Sequence, residues 1–327
     1  MRKVKTFILF LMFAFSLAIV QKTAIYEYVG SIKHDVIDVA KLDDSLYIEI
    51  QKKAAEYEMK PEDARIDRVW KARPSLNGKK VDVMKSYEQM KKKGVFQEDK
   101  LVFQETEANV KLKDLPPDAI FRGHEKKQAV SFAINVAWGE EYIPDLLQTL
   151  QKQNIKVTFF LEGRFAKKHP KLVEMIAEQG HEIGNHSYSH PQFSKLGESE
   201  MHDEIKKTNE IIQTITGKTP TLFGPPSGDY NEATLQKVRE FSMDTVMWSL
   251  DTVDWKNPNP VAMKLKIVNQ IHPGAIVLMH PTKPTADIFE EMVIEIKQKG
   301  FAIIPISELI SSKRQHVKEE EEGRESE

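Results

Sequence analysis

The chain has 327 residues, a formal net charge of −2 and no cysteine. That length sets a prior of about two domains, the larger able to bury a full core. The charge balance gives no global field for nucleic acid, and the absence of cysteine excludes a disulfide framework, a thiolate nucleophile and a cysteine-based zinc site.

Arg2, Lys3 and Lys5 precede Phe7–Val20, an uncharged and almost wholly apolar run of 14 residues. A basic flank before a run of that length reads as a signal peptide, since a full span needs ~20 apolar residues. Residues 1–22 are therefore expected to be a signal peptide or, if uncleaved, an N-terminal membrane anchor, and the protein is expected outside the cytoplasm. Ser16-Leu-Ala18 offers small residues but a poor cleavage site, and there is no lipobox cysteine.

Residues 40–115 read as a small N-terminal α/β domain. Ser45–Glu56 has helical spacing, and Arg65–Lys71 alternates like a strand. Asn77-Gly78 is a turn signal before another alternating run, Ser86–Lys93 is a short polar helix, and Leu101–Gln104 is a further strand. No catalytic cluster falls here. Leu115-Pro-Pro-Asp118 marks a boundary, because paired prolines continue neither a helix nor a central strand.

Residues 120–312 alternate strands and helices. Strands are expected at Ala129–Val136, Lys156–Leu161, Glu182–Gly184, Thr245–Ser249, Ala275–Met279 and Phe301–Pro305. Helices are expected at Pro144–Lys152, Pro170–Gln179, Glu198–Ile215, Glu232–Phe241, Asn259–Gln270 and Asp287–Lys299. Repeated βα units demand a parallel sheet covered by helices, open or closed into a barrel. Chemistry in such folds collects in loops after the strands. The tail, residues 313–327, holds six glutamates in the nine residues from Glu319 and is expected to be disordered.

Polar groups gather at those strand ends. His186 and His190 are four apart in Ile183–Pro191, a spacing that lets both imidazoles share one metal ion or leaves two surface histidines beside a proline. Asp251, Asp254 and Trp255 follow the run ending at Ser249, and His280 follows Leu278. Alone, Asp251 is as readily a cap and His280 a hydrogen-bonded loop histidine. Phe223–Tyr230 is a rigid turn carrying Pro225 and Pro226.

In this order the segments resemble the polysaccharide deacetylases of carbohydrate esterase family 4, the NodB-homology group, over roughly Arg122–Ser311. The resemblance implies a distorted, incomplete (β/α) barrel. It implies removal of N-acetyl groups from chitin, peptidoglycan or related glycans at the cell wall with a divalent metal, zinc or cobalt. His186-Ser-Tyr-Ser-His190 matches the family's metal-ligand motif, so both imidazoles would be ligands. Gly224-Pro-Pro-Ser-Gly228 matches the Arg-Pro-Pro-x-Gly motif, Asp251-Thr-Val-Asp254-Trp255 the Asp-x-x-Asp-Trp motif, and Leu278-Met-His280 the Leu-x-His motif. By analogy His280 would be the general acid, with Asp251 setting its pKa and orientation. Trp255, Tyr188, Pro226, Tyr230 and Trp138 would line the substrate groove, the aromatic rings stacking on sugar faces.

The first motif departs from the family. It writes Thr-Phe-Asp-Asp-Gly, a base followed by a third metal ligand. Counting back from Thr158-Phe-Phe places the base on Asn135 and the ligand on Val136; an earlier register on Ser131-Phe132 places Ala133 and Ile134 there. Both acids are missing in either register. An amide has no useful basicity near neutral pH, so general-base catalysis worth ~10²–10⁴ is lost. Two histidines fall short of the three protein ligands usual for catalytic zinc, so the metal is expected to bind weakly or not at all. Gly224 also replaces the arginine that would orient the base.

The expectation is a degenerate polysaccharide deacetylase, a pseudoenzyme that binds wall glycan or a partner. The alternative is an active metal-dependent deacetylase, releasing acetate from N-acetylglucosamine-containing glycans with a carboxylate relocated from Glu140, Glu141 or Asp229. A structural linker without a ligand is the remaining reading.

Overall fold

The computed structural model describes residues 44–314. The expected leader and all of the acidic tail beyond residue 314 lie outside the described residues. Before residue 120 the elements are α1 (Ser45–Ala54), β1 (Arg65–Asp67), β2 (Lys71–Arg73), β3 (Gly78–Val81), α2 (Val83–Met90) and β4 (Phe103–Thr106). The chain divides into two compact units.

The smaller unit takes the described residues to Met59 together with Lys79–Gln104. Asp44 starts α1 by accepting from the Leu46 N–H at 2.9 Å, and Asp82 starts α2 by accepting from Lys85 N–H at 3.0 Å. Leu46 and Ile50, one turn apart, share a core with Val81 and Met90.

The larger unit takes Lys60–Gly78 and the described residues from Glu105 onward. The expected single domain at 40–115 is therefore corrected: residues 60–78 and 105–115 belong with the barrel. Arg65–Lys71 is also not one strand. β1 and β2 pair antiparallel, Arg65 opposite Arg73, because Asp67 turns the chain by accepting from Val69 and Trp70 N–H, both at 2.8 Å.

From residue 120 the elements are β5 (Ala129–Val136), α3 (Ile143–Lys152), β6 (Thr158–Leu161), α4 (Gly163–Lys168), α5 (Pro170–Glu178), β7 (Glu182–Asn185), α6 (Glu198–Thr216) and β8 (Leu222–Phe223). Then come α7 (Glu232–Glu240), β9 (Asp244–Thr245), β10 (Leu250–Asp251), α8 (Pro260–Gln270), β11 (Ile276–Met279), α9 (Lys283–Gln298), β12 (Ala302–Ile303) and α10 (Ile306–Ile310). The strands pair in the order β10-β11-β5-β6-β7-β8-β9, with β12 also on β5, and every pairing is parallel. They curl into a half-barrel, the incomplete (β/α) barrel expected. β9 and β10, consecutive in the chain, stand at opposite ends of the order. The expected strand Thr245–Ser249 is thus replaced by two short ones, and the intervening residues cross the opening.

The two faces of β5 set up the site. Val130, Phe132, Ile134 and Val136 pack among α3, α5 and α9 through residues such as Leu146, Ile176 and Phe289. Ala129 and Ala133 face inward with Phe160, Leu222 and Ile276. Alternate residues of a strand take opposite faces, so Asn135 points inward and Val136 outward.

Candidate functional site

A cavity of about 380 Å³ opens at the C-terminal ends of the strands, lined by Asn135, His186, His190, Asp251, Trp255 and His280, with Trp138, Ser227, Trp248 and Leu278. All five motifs of the resemblance thus contribute to one place. A cavity of that size accommodates a small ligand or a sugar unit.

The histidine loop after β7 is held from below. Asn185 accepts from Ser187 N–H at 2.7 Å and anchors its own amide on α6 through Ile205 O and Asn209 Oδ1, both at 2.9 Å. Glu204 on α6 accepts from Tyr188 N–H at 2.9 Å, Ser189 N–H at 2.8 Å and the Ser189 hydroxyl at 2.7 Å. Ser187 and His190 adopt positive φ, 62° and 58°, and Ser187 Oγ accepts from His190 N–H at 3.0 Å. The rings of His186 and His190 stand 5.0 Å apart, edge to face.

His186 is fully buried, and its Nδ1 lies 2.6 Å from the Gly224 carbonyl. A carbonyl only accepts, so Nδ1 carries the proton and Nε2 presents a lone pair. Burial, reinforced by His190 and opposed by that carbonyl bond, pushes the His186 pKa down to about 3. Burial also lowers His190. Both rings are neutral donors near pH 7.

The third donor is missing. Asn135 is 6% exposed, and no protein group among the described residues hydrogen-bonds its carboxamide. Val136 is fully buried on the helix-covered face, so the position expected for a ligand does not reach the cavity at all. Among the described residues, no group of three or more His, Cys, Asp or Glu side chains is placed to hold a metal ion. Two imidazoles without a carboxylate do not fit the three-ligand metal site that the family motif implies.

The role given to Asp251 is corrected. His280 Nδ1 meets Asp254 Oδ1 at 2.8 Å, and His280 N–H donates to Asp254 Oδ2 at 2.6 Å. Thr285 Oγ donates to the same Oδ2 at 2.7 Å. Val253 takes a left-handed φ of 57°, which reverses the chain and brings Asp254 beneath His280. Asp251 instead accepts from Val253 N–H at 2.7 Å and lines the cavity. Trp138 stacks on His280 with centroids 5.2 Å apart and planes at 15°. Gly139 permits this approach: its φ is +81°, and a Cβ there would stand 1.9 Å from Pro281 O.

Gly224, at the expected arginine position, lies against the Phe160 ring; a Cβ would meet Phe160 at 3.0 Å. Of the expected groove residues, Trp255 and Trp138 line the cavity, but Tyr188 does not. Tyr188 lies in a separate surface groove with Lys167, Lys207 and Ile211. Pro226 is buried in a tight turn whose next residue, Ser227, reaches the cavity. Tyr230 packs with Ala119, Leu235 and Met247. The relocated carboxylates fare no better. Asp229 accepts from Ser194 N–H and hydroxyl, both at 2.8 Å, and Glu140 lies 3.7 Å from His169. Neither they nor Glu141 line the cavity.

Sequence reasoning missed Trp248, Ser227 and the anchoring role of Asp254. The second acid of Asp-x-x-Asp was visible as a candidate, but the turn that selects it was not.

Residues 122–246 match the family model for polysaccharide deacetylase. The Bacillus subtilis protein YlxY is 43% identical over 314 residues, covering 95% of this chain and 98% of its own. The peptidoglycan-N-acetylglucosamine deacetylase of Bacillus cereus is 32% identical over 200 residues, covering 60% and 73%. Among solved structures, wild-type BA3943 of Bacillus anthracis, a CE4 family pseudoenzyme, is 44% identical with TM-score 0.78, covering 84% of this chain and 97% of that one. A BA3943 mutant with restored enzymatic activity matches at 43% identity and TM-score 0.78, covering 83% and 100%. On the strength of the motifs, the half-barrel and these similarities, the chain belongs to the polysaccharide deacetylase family, carbohydrate esterase family 4.

Proposed function

We propose that this protein is a degenerate polysaccharide deacetylase, a pseudoenzyme that retains the substrate cleft outside the cytoplasmic membrane and binds wall glycan without hydrolysing it. The observation that carries this is Asn135. Its side chain lines the cavity, counting from Thr158 assigns it the base position, and an amide cannot take a proton from water there. The outward-facing Val136 removes the third ligand, and Gly224 removes the arginine that would orient a base.

The glycan class follows from a relative that acts on peptidoglycan N-acetylglucosamine, and from the tryptophans that line the cavity. Placement at the wall rests on the basic and apolar character of residues 2–20. An active deacetylase with a relocated acid gains no support, since none of Glu140, Glu141 and Asp229 lines the cavity.

The test is acetate release from N-acetylglucosamine tetramer and from peptidoglycan fragments, with zinc or cobalt added. The proposal expects release no faster than buffer while tetramer binding remains measurable. Turnover that disappears in His186→Ala would overturn it.

A further inference from the structure

Among the described residues a single carboxylate, that of Asp251, lines the cavity. Neither lysine nor arginine lines it among the described residues. Its lining mixes acceptors and π faces with the Ser227 hydroxyl and the His190 and His280 imidazoles. Asp251 presents a carboxylate of which one oxygen is used, by Val253 N–H, and which has no ion pair with a Lys, Arg or His side chain among the described residues. His186 presents an Nε2 lone pair, because its Nδ1 proton is committed to the Gly224 carbonyl. Three of the chain's four tryptophans, Trp138, Trp248 and Trp255, form walls. Lys256 at the rim sits over the Trp255 ring at 4.8 Å and does not line the cavity.

A second observation points to a ligand. The Asn135 side chain, 6% exposed, lines the cavity and has no hydrogen-bond partner among the described residues. That leaves its amide free to meet a ligand in the cavity.

Resting on the pseudoenzyme reading above, we infer that the cavity recognises a de-N-acetylated amino sugar, the ammonium group facing Asp251 and the sugar ring lying against the tryptophans. A protonated amine brings three donors and a charge. The cavity offers it a carboxylate, the Asn135 carbonyl oxygen, an imidazole lone pair and indole faces that attract cations. An acetamide in the same place brings one N–H and a methyl group, and leaves the Asp251 carboxylate without an ion pair, Lys266 Nζ being engaged with the Asp251 backbone carbonyl at 3.0 Å. The protein would then act after a deacetylase, binding the amine that such a reaction produces.

The full chain, titrated calorimetrically at low salt with EDTA present, tests this with tetramers of glucosamine and of N-acetylglucosamine. The amine tetramer is expected to bind at least tenfold tighter. Asp251→Asn keeps an oxygen for Val253 N–H, so it should fold, and it is expected to cut the preference below twofold. Trp255→Ala should weaken both tetramers. Equal or tighter binding of the acetylated tetramer, or no binding of either, overturns the inference. So does a preference that survives Asp251→Asn, which would be surface electrostatics alone. Acetate release during the titration counts against the pseudoenzyme reading, while the affinity ratio still judges the amine preference.

Discussion

His280 rests on Asp254. The imidazole Nδ1 is 2.8 Å from Asp254 Oδ1, and the backbone N–H of the same histidine donates to Oδ2 at 2.6 Å. Asp254 is 1% exposed and takes a third bond from Thr285. The first acid of the motif lines the cavity while the second holds the loop.

That division predicts unequal costs. Asp254→Ala strands three buried donors and should lower unfolding free energy by about 3 kcal/mol, since each unpaired buried group costs roughly 1–3 kcal/mol and the loop relaxes in part. Asp251→Asn should cost less than ~1 kcal/mol, as the cap to Val253 survives. Urea denaturation midpoints of the two variants measure the difference.

The two adjacent positions of the first motif should behave differently too. Asn135→Asp puts a carboxylate into an open cavity beside two neutral imidazoles and should fold normally. Val136→Asp puts one among Phe289, Leu146 and Ile176, where an unpaired charge should cost at least ~3 kcal/mol. Thermal melts of the single variants check this. A stable Val136→Asp with raised zinc affinity would show that the end of β5 can turn its residue inward.

Much of this was legible in the sequence. The parallel half-barrel follows from alternating apolar runs and helical stretches, and the cavity from acids and histidines placed directly after strands. The opposite faces of Asn135 and Val136 follow from strand periodicity, although the family motif reads the pair as one unit. Other features depend on backbone turns and long-range packing. The left-handed Val253 selects Asp254 over Asp251, and the Asp67 turn folds residues 65–73 into a hairpin. Tyr188 shares the histidine motif, yet its ring falls in another groove beside Lys207. No local pattern announces those outcomes.

Gly224 constrains any attempt to restore the family's arginine. A Cβ at this position meets Phe160 Cδ1 at 3.0 Å and Cγ at 3.1 Å, and the ring is also pressed against Gly184. Gly224→Arg should therefore destabilise by roughly 1–3 kcal/mol through overpacking, and Phe160→Leu should recover part of that loss. A double-mutant cycle by thermal unfolding gives the coupling.

His181 should make stability depend on pH. Burial, with a smaller contribution from Lys156, lowers its pKa to about 4. Its Nδ1 accepts from Val157 N–H at 3.3 Å, and its Nε2 has no partner. The unfolded chain takes up a proton near pH 6.5 and the folded chain only near 4, so between those values the unfolded state binds more protons. Stability then falls as pH drops through this window, by up to ~3 kcal/mol. His181→Gln should flatten that part of the profile, read as unfolding midpoints from pH 7 to 4.

Of the three losses, the amide of Asn135 where the family places a carboxylate is the central one. Its most direct test is acetate release from N-acetylglucosamine tetramer by the unmodified chain and by Asn135→Asp, side by side in saturating zinc. The unmodified chain should release none above buffer, and Asn135→Asp should release it measurably, because a carboxylate then faces the same cavity as His186 and His190 and saturating zinc offsets the ligand missing at Val136. Rapid release by the unmodified chain, abolished by His186→Ala, would contradict the account.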